Sequence, residues 1–244
     1  ISLLIITLVN VSAYHWAYRN QSDHLTDISY SFCFIVVAVY FLLSFWDLSY
    51  PRILLFIMVT LWAVRLGGFL FYRIHHMGRD ARFDEFRDSK KGFLKFWILQ
   101  SISIWIIALP VIVGFMEEIT EIIWPAVAMW VVGWLIESIA DYQKFSFKAR
   151  NKNAKFIDTG LYKYIRHPNY LGEIMVWCSI FWYITPIISW TNWFVVASPL
   201  WVIFLLIKVS GIPLIEKTYD TKYGSNIKFQ EYYAKSWRLL PWIY

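Results

Sequence analysis

The residues best suited to chemistry fall in one stretch, Thr159-Gly160-Leu161-Tyr162-Lys163-Tyr164-Ile165-Arg166-His167-Pro168-Asn169-Tyr170-Leu171-Gly172-Glu173. Pro168 has a fixed φ that suits a first helical turn, and an apolar run follows it, so a helix is expected to begin there. Arg166, His167, Asn169 and Glu173 then gather at its N-terminal end, where unpaired N–H groups and the positive end of the helix dipole favour a phosphate. Asn169 and Glu173 are four residues apart and share a face. Glu173 falls one turn into an apolar segment, where an ionisable group is costly and is by default functional or paired. The plainer alternative is a structural cap in which Glu173 bonds Arg166 or His167 and no ligand.

Glu137 and Asp141 repeat the four-residue spacing at the end of an earlier apolar run, and Asp141 leads into Lys144, Lys148 and Arg150. Such a face offers an acid for ribose hydroxyls and cations for phosphate; a solvated helix end is the simpler reading. Other features carry less. Arg65 lies inside an apolar run, where it needs an inward carboxylate. Arg79 to Phe86 alternates charge with aromatics, as an interfacial segment does. His75 and His76 are adjacent and lack metal-ligand spacing, and no metal is expected. Asp158-Thr159-Gly160 occurs once without strands around it and reads as a turn. No G-x-G-x-x-G or P-loop occurs, so a bound nucleotide would be held by helices and not by a Rossmann sheet. Cys33 and Cys178 each sit in an apolar run and suggest no disulfide framework.

The elements that must position these groups are apolar. Of the 244 residues, 59% are hydrophobic and only 16% charged, against about 25% charged in soluble domains. Runs near ~20 residues, enough for a ~30 Å hydrocarbon core, recur along the whole chain. The spans expected are 1–14, 28–46, 51–74, 93–113, a fifth ending near Ala140, 170–188 and 193–212, with Pro213 closing the last. The 15 Trp and 16 Tyr lie mostly near the ends of these runs, as interfacial belts require. The reading is an all-α, polytopic membrane protein of about seven spans. It forms one domain over residues 1–244, with cytoplasmic loops and an amphipathic tail.

Lys and Arg counts orient it. Segment 75–92 carries five, segment 141–168 seven and the tail after Pro213 five, whereas the loop holding Glu117, Glu118 and Glu121 has none. The positive-inside rule then puts the N-terminus outside and the C-terminus in the cytoplasm. The same basic residues would attract anionic membrane lipid. No nucleic-acid partner is expected, and oligomeric state is not legible.

The run from Gly160 to Glu173, with Asp141 upstream and the tail Tyr232-Tyr233-Ala234-Lys235-Ser236-Trp237-Arg238-Leu239-Leu240-Pro241-Trp242, resembles the C-terminal domain of steroid 5-alpha-reductases, above all their bacterial relatives. Its core, Arg-His-Pro-Asn-Tyr-Leu-Gly-Glu, is specific. The resemblance implies a seven-helix fold whose cytoplasmic layer encloses NADPH, with a lipophilic substrate entering from the bilayer. Asn169 and Glu173 would hold the nicotinamide end and Asp141 the ribose or diphosphate region. Lys148 stands near where the family places a phosphate-binding Arg, Arg238 matches the basic residue of its tail, and Glu137, Tyr162, Arg166 and His167 join the same cofactor-binding set. Departing from the steroid enzymes, the chain has no Gln-Glu pair in an early span; its only one is Gln230-Glu231 in the tail. The proton donor is therefore unassigned, with Asp23, Asp27, Tyr30 and Tyr72 as substitutes. Isoprenylcysteine carboxyl methyltransferases share Arg-His-Pro-x-Tyr-x-Gly and a later acidic residue resembled by Glu216, which keeps an S-adenosylmethionine-dependent methyltransferase open. A non-catalytic lipid-binding protein is the third alternative.

Overall fold

The structure, a computed structural model, describes residues 1–20, 24–77, 90–150 and 156–241. Asp23, the segment Arg79 to Phe86 and Trp242 lie outside the described residues. Among the described residues the chain is all-helical, its one β-feature an isolated parallel bridge between Ile165 and Trp237. It divides into two compact units, Ile1–Ile122 with Tyr183–Ser198, and Ile123–Trp182 with Pro199–Tyr244.

The first unit is built on α1 (Ser2–Asn20), α2 (His24–Phe45), α3 (Tyr50–Met77) and α4 (Lys90–Met116). Its core follows helical spacing. Cys33, Phe34, Val37, Ala38 and Phe41 of α2 are buried, as are Leu55, Met58, Val59, Trp62, Ala63 and Leu66 of α3, the i, i+3, i+4 stripe of helices packed along one face. The Phe34 and Trp62 rings meet edge to face at 5.2 Å. α1 offers the small Ala13 and Ala17 to the large Phe93 and Trp97 of α4. On the outer faces Leu4, Leu8, Val11, Leu43, Leu61 and Val64 are exposed. Such apolar surface suits lipid chains and would be an aggregation liability in water.

A polar network crosses this unit. The Gln100 amide N–H₂ faces Asn10 Oδ1 at 3.1 Å, Ser29 Oγ at 3.2 Å and the Thr26 carbonyl at 3.3 Å, while Asn10 Nδ2 donates to Ser101 Oγ at 3.0 Å. Buried polar groups need partners, and these supply one another.

The second unit holds α5 (Trp124–Arg150), a 3₁₀ turn at Gly160–Lys163, α6 (Pro168–Tyr183), α8 (Ile212–Tyr223) and α9 (Ile227–Lys235). α7 (Ala197–Phe204) and a π-helical turn at Leu205–Val209 lead into α8.

The span count differs from expectation. Among the described residues, three helical stretches are long and apolar enough to cross a membrane: Leu25–Phe45, Tyr50–His76 and Trp193–Tyr223. Gly92–Ile107 and Leu109–Met116, bent by 44°, make a fourth if counted as one span. The bend is explained by Pro110, which lacks an N–H and crowds the preceding turn. α6 gives way after Tyr183 to a 3₁₀ turn over Thr185–Ile187 that carries Pro186, leaving 16 residues, or ~24 Å at 1.5 Å per residue. α1 turns polar beyond Asn10. α5 runs on through Asp141 to Arg150 instead of ending near Ala140, so its last three turns are charged. Pro213 does not close the final helix but sits in the first turn of α8, where its missing N–H costs nothing.

Candidate functional site

The extra turns of α5 set Glu137, Asp141, Lys144 and Lys148 at i, i+4, i+7 and i+11, one stripe of a single helix. Glu137 is buried, Asp141 and Lys144 are half-buried, and Lys148 is exposed. α6 meets α5 at two glycines. A Cβ on Gly172 would lie 2.6 Å from both Gly133 O and Glu137 N, and one on Gly133 would lie 2.9 Å from Gly172 O. Only glycine permits backbones this close. The crossing puts Gly172, between Asn169 and Glu173, directly against Glu137; Asn169 and Glu173 are themselves half-buried.

The connection between the helices is shaped by Gly160, whose φ of +63° is left-handed. Its missing Cβ leaves room for Gln143, whose Oε1 accepts the Leu161 N–H at 2.9 Å. This turn buries Tyr162 against Ala140 and Ile157.

From there the tail folds back over the signature. Arg166 N–H donates to Trp237 O at 2.8 Å, and Trp237 N–H donates to Tyr164 O at 2.9 Å. The Arg166 guanidinium donates to the carbonyls of Tyr233 (2.9 Å) and Ser236 (3.1 Å) and lies 3.8 Å over the Tyr233 ring. The Tyr232 hydroxyl donates to Tyr162 O at 2.8 Å. Glu216, in the second turn of α8, is the electrostatic centre. Its carboxylate pairs with Arg238 Nη2 at 2.6 Å and with Arg166 Nε and His167 Nε2, each at 3.4 Å. The Tyr233 hydroxyl bonds the same carboxylate.

A cavity opens among these groups, lined by Lys144, Tyr162, Arg166, His167, Glu216 and the rings of the tail. Burial holds the His167 pKa below its usual 6.5, against the opposing pull of its Glu216 bond, and Lys144 and Arg166 add to the lowering. His167 is thus a neutral imidazole at pH 7, stacked on Tyr170 with centroids 5.7 Å apart. Burial, then the Glu216 bond, pushes the Tyr233 phenol up to about 12, and burial raises that of Tyr232.

Of the residues expected to bind a cofactor, the structure therefore brings Tyr162, Arg166 and His167 to the cavity and ties Arg238 to it through Glu216. Glu137, Asn169 and Glu173 form a separate group at the glycine crossing, and Lys148 lies one turn beyond the lining residue Lys144. The sequence reading took Lys144 as one of three cations for phosphate, and left Tyr219 and the tail's Tyr232 and Tyr233 out of the cofactor-binding set. Their signal was the aromatic spacing Tyr219-x₃-Tyr223 and Tyr232-Tyr233 in an otherwise polar tail. In the first unit, Asp27 is paired with Arg73 at 3.1 Å. Tyr30 packs on Phe34 and Trp62, and the exposed Tyr72 lies 4.0 Å from the His76 ring. Among the described residues no cluster of His, Cys, Asp or Glu could hold a metal.

No curated protein and no solved structure matches the chain. A family model described as protein of unknown function (DUF1295) matches residues 13–236, from the second half of α1 to the tail residues that bind Arg166, and the chain belongs to that family.

Proposed function

We propose that the protein is a membrane reductase, similar to the steroid 5-alpha-reductases, that uses NADPH to reduce an activated C=C bond in a lipophilic substrate. The observation that carries this reading is the convergence of Lys144, Arg166 and Arg238 on one side-chain layer around Glu216. That donor set is net positive and rich in N–H groups, the chemistry that holds a phosphorylated dinucleotide. The group would supply a hydride to the substrate when bound. Arg166 and Lys144 would hold its phosphates, and Asn169 and Glu173 would orient its nicotinamide amide. Neutral His167 would act as a hydrogen-bonding wall and not as a further charge. A side-chain acid must polarise the substrate carbonyl. Asp27 is taken up by its pair with Arg73, which leaves Tyr30 and Tyr72 as the donors among the residues considered.

The topology proposed with it adds α1, α5 and α6 to the four apolar stretches, for seven crossings, with the N-terminus outside. The three basic segments then share the cytoplasmic face.

One observation favours a second reading. Glu216 lies on Arg166 and His167, which is where the later acidic residue of the isoprenylcysteine methyltransferases would be expected to act. Mass spectrometry of small molecules that co-purify in mild detergent separates the two. NADP(H) supports the reductase, S-adenosylmethionine the methyltransferase, and a lipid with neither cofactor a binding protein.

A further inference from the structure

α7 does not run smoothly into α8. The π-helical turn over Leu205–Val209 ends with the Ser210 N–H donating to Leu205 O at 2.9 Å, and Gly211 follows. A Cβ on Gly211 would stand 2.9 Å from Leu206 Cα and closer still to the Leu206 carbonyl oxygen, an approach that only glycine allows. α8 then starts with Pro213 in its first turn and no side-chain cap, and its Ile215 N–H reaches Gly211 O only at 3.4 Å. π turns, glycine and proline are where helices bend, and a few residues at the end of an element can absorb a hinge motion.

Everything beyond that point, residues 212–241, covers the cavity, and its contacts divide unevenly. Glu216 keeps its short contact, 2.6 Å, for Arg238 of the same segment, and bonds Tyr233 there as well. Its contacts across to Arg166 and His167 are each 3.4 Å. Swinging the segment away would therefore not strand the carboxylate. Arg166 is the group it would release. The Arg166 Nη1 donates to the Tyr233 and Ser236 carbonyls, so the tail occupies donors that an anion would use. The free volume of the cavity is about 10 Å³, room for about one water molecule and not for a phosphate.

We infer that residues 212–241 form a flap hinged at residues 205–211, which occupies Arg166 with its own carbonyls when closed and opens as one unit to let an anionic ligand reach it. The inference rests on the nucleotide reading above only for the identity of that ligand.

Native-state amide hydrogen exchange of the purified full chain in mild detergent tests it, in the parent and in Gly211→Ala. In the parent, amides of α8 and α9 should exchange together, about tenfold faster than those of α5 and α6, with the boundary at Gly211. Gly211→Ala crowds the closed geometry, and should speed flap exchange about tenfold again while leaving α5 and α6 unchanged. NADPH and inorganic pyrophosphate, competing with the tail carbonyls for Arg166, should each raise flap exchange, because a ligand shifts the population toward the form it binds. Flap amides that exchange independently, or no faster than those of α5 and α6, would overturn the inference. So would flap exchange unchanged by Gly211→Ala, or raised by neither anion. If pyrophosphate raises it and NADPH does not, the flap stands and the dinucleotide reading fails.

Discussion

Replacing Gly172 by Ala would strike the crossing that brings the Asn169 and Glu173 face against Glu137. The new Cβ would stand 2.6 Å from Gly133 O and Glu137 N and 2.7 Å from Glu137 Cβ. Two of these neighbours are backbone atoms of a regular helix, which cannot rotate away. Restoring ordinary contact at 3.4 Å means moving α6 off α5 by about 0.8 Å. Overpacking of this kind costs about 1–3 kcal/mol, and the upper half of that range applies where backbone must move. The gain in helix propensity from Gly to Ala returns at most about 1 kcal/mol. Net destabilisation should then be about 1–2 kcal/mol. Gly68→Ala in α3 is the control, since its Cβ would meet nothing within 4 Å; it should be neutral or gain about 0.5–1 kcal/mol. In a chain of this size the two variants should melt about 5 °C apart, at ~2–4 °C per kcal/mol. Tryptophan fluorescence during heating in detergent would measure it. If Gly172→Ala melts at or above Gly68→Ala, the close approach is not the constraint argued here. Gly172→Ala should also weaken NADPH binding, which Gly68→Ala should not.

A group whose folded pKa lies below its unfolded value makes the unfolded chain the better proton binder between the two. The burial of His167 should therefore cost stability as pH falls below ~6.5 toward its lowered folded pKa, and His167→Gln should flatten that part of a melting-temperature profile; an unchanged profile would show that His167 is not the group titrating. Cysteines placed at Glu118 and Lys163, both exposed, should react with an impermeant thiol reagent from opposite sides of the membrane. Equal labelling of both in intact cells would sink the proposed orientation.

Much of the fold can be read from residue order alone. The burial stripes of α2 and α3, the bend at Pro110 and the helix opening at Pro168 are local, set by helical period and proline geometry. The span count was harder, because an apolar run does not reveal where a helix breaks: α6 yields to a 3₁₀ turn before Ile188, while Pro213 fits inside a first turn. The site was legible in part. Arg166, His167, Asn169 and Glu173 stood out as polar groups around one proline. Their grouping did not, because it depends on contacts far apart in sequence. Glu216 meets His167 across 49 residues, and the carbonyls of Tyr233 and Ser236 take the Arg166 guanidinium. No periodicity encodes such pairings. The Gly133 and Gly172 crossing was also hidden, since each glycine alone looks like a tolerated weak point in a helix.

The central claim is that this layer holds NADPH, and equilibrium titration of the purified protein tests it most directly. NADPH and S-adenosylmethionine are each added to the parent and to Glu173→Gln and Asn169→Ala, at low and at physiological salt. The account predicts that the parent binds NADPH, more weakly as salt screens the cationic groups over ~8–10 Å. Each substitution should weaken binding further, about tenfold to a hundredfold for a lost hydrogen bond to a charged or buried partner. Tight binding of S-adenosylmethionine with no detectable binding of NADPH would contradict it.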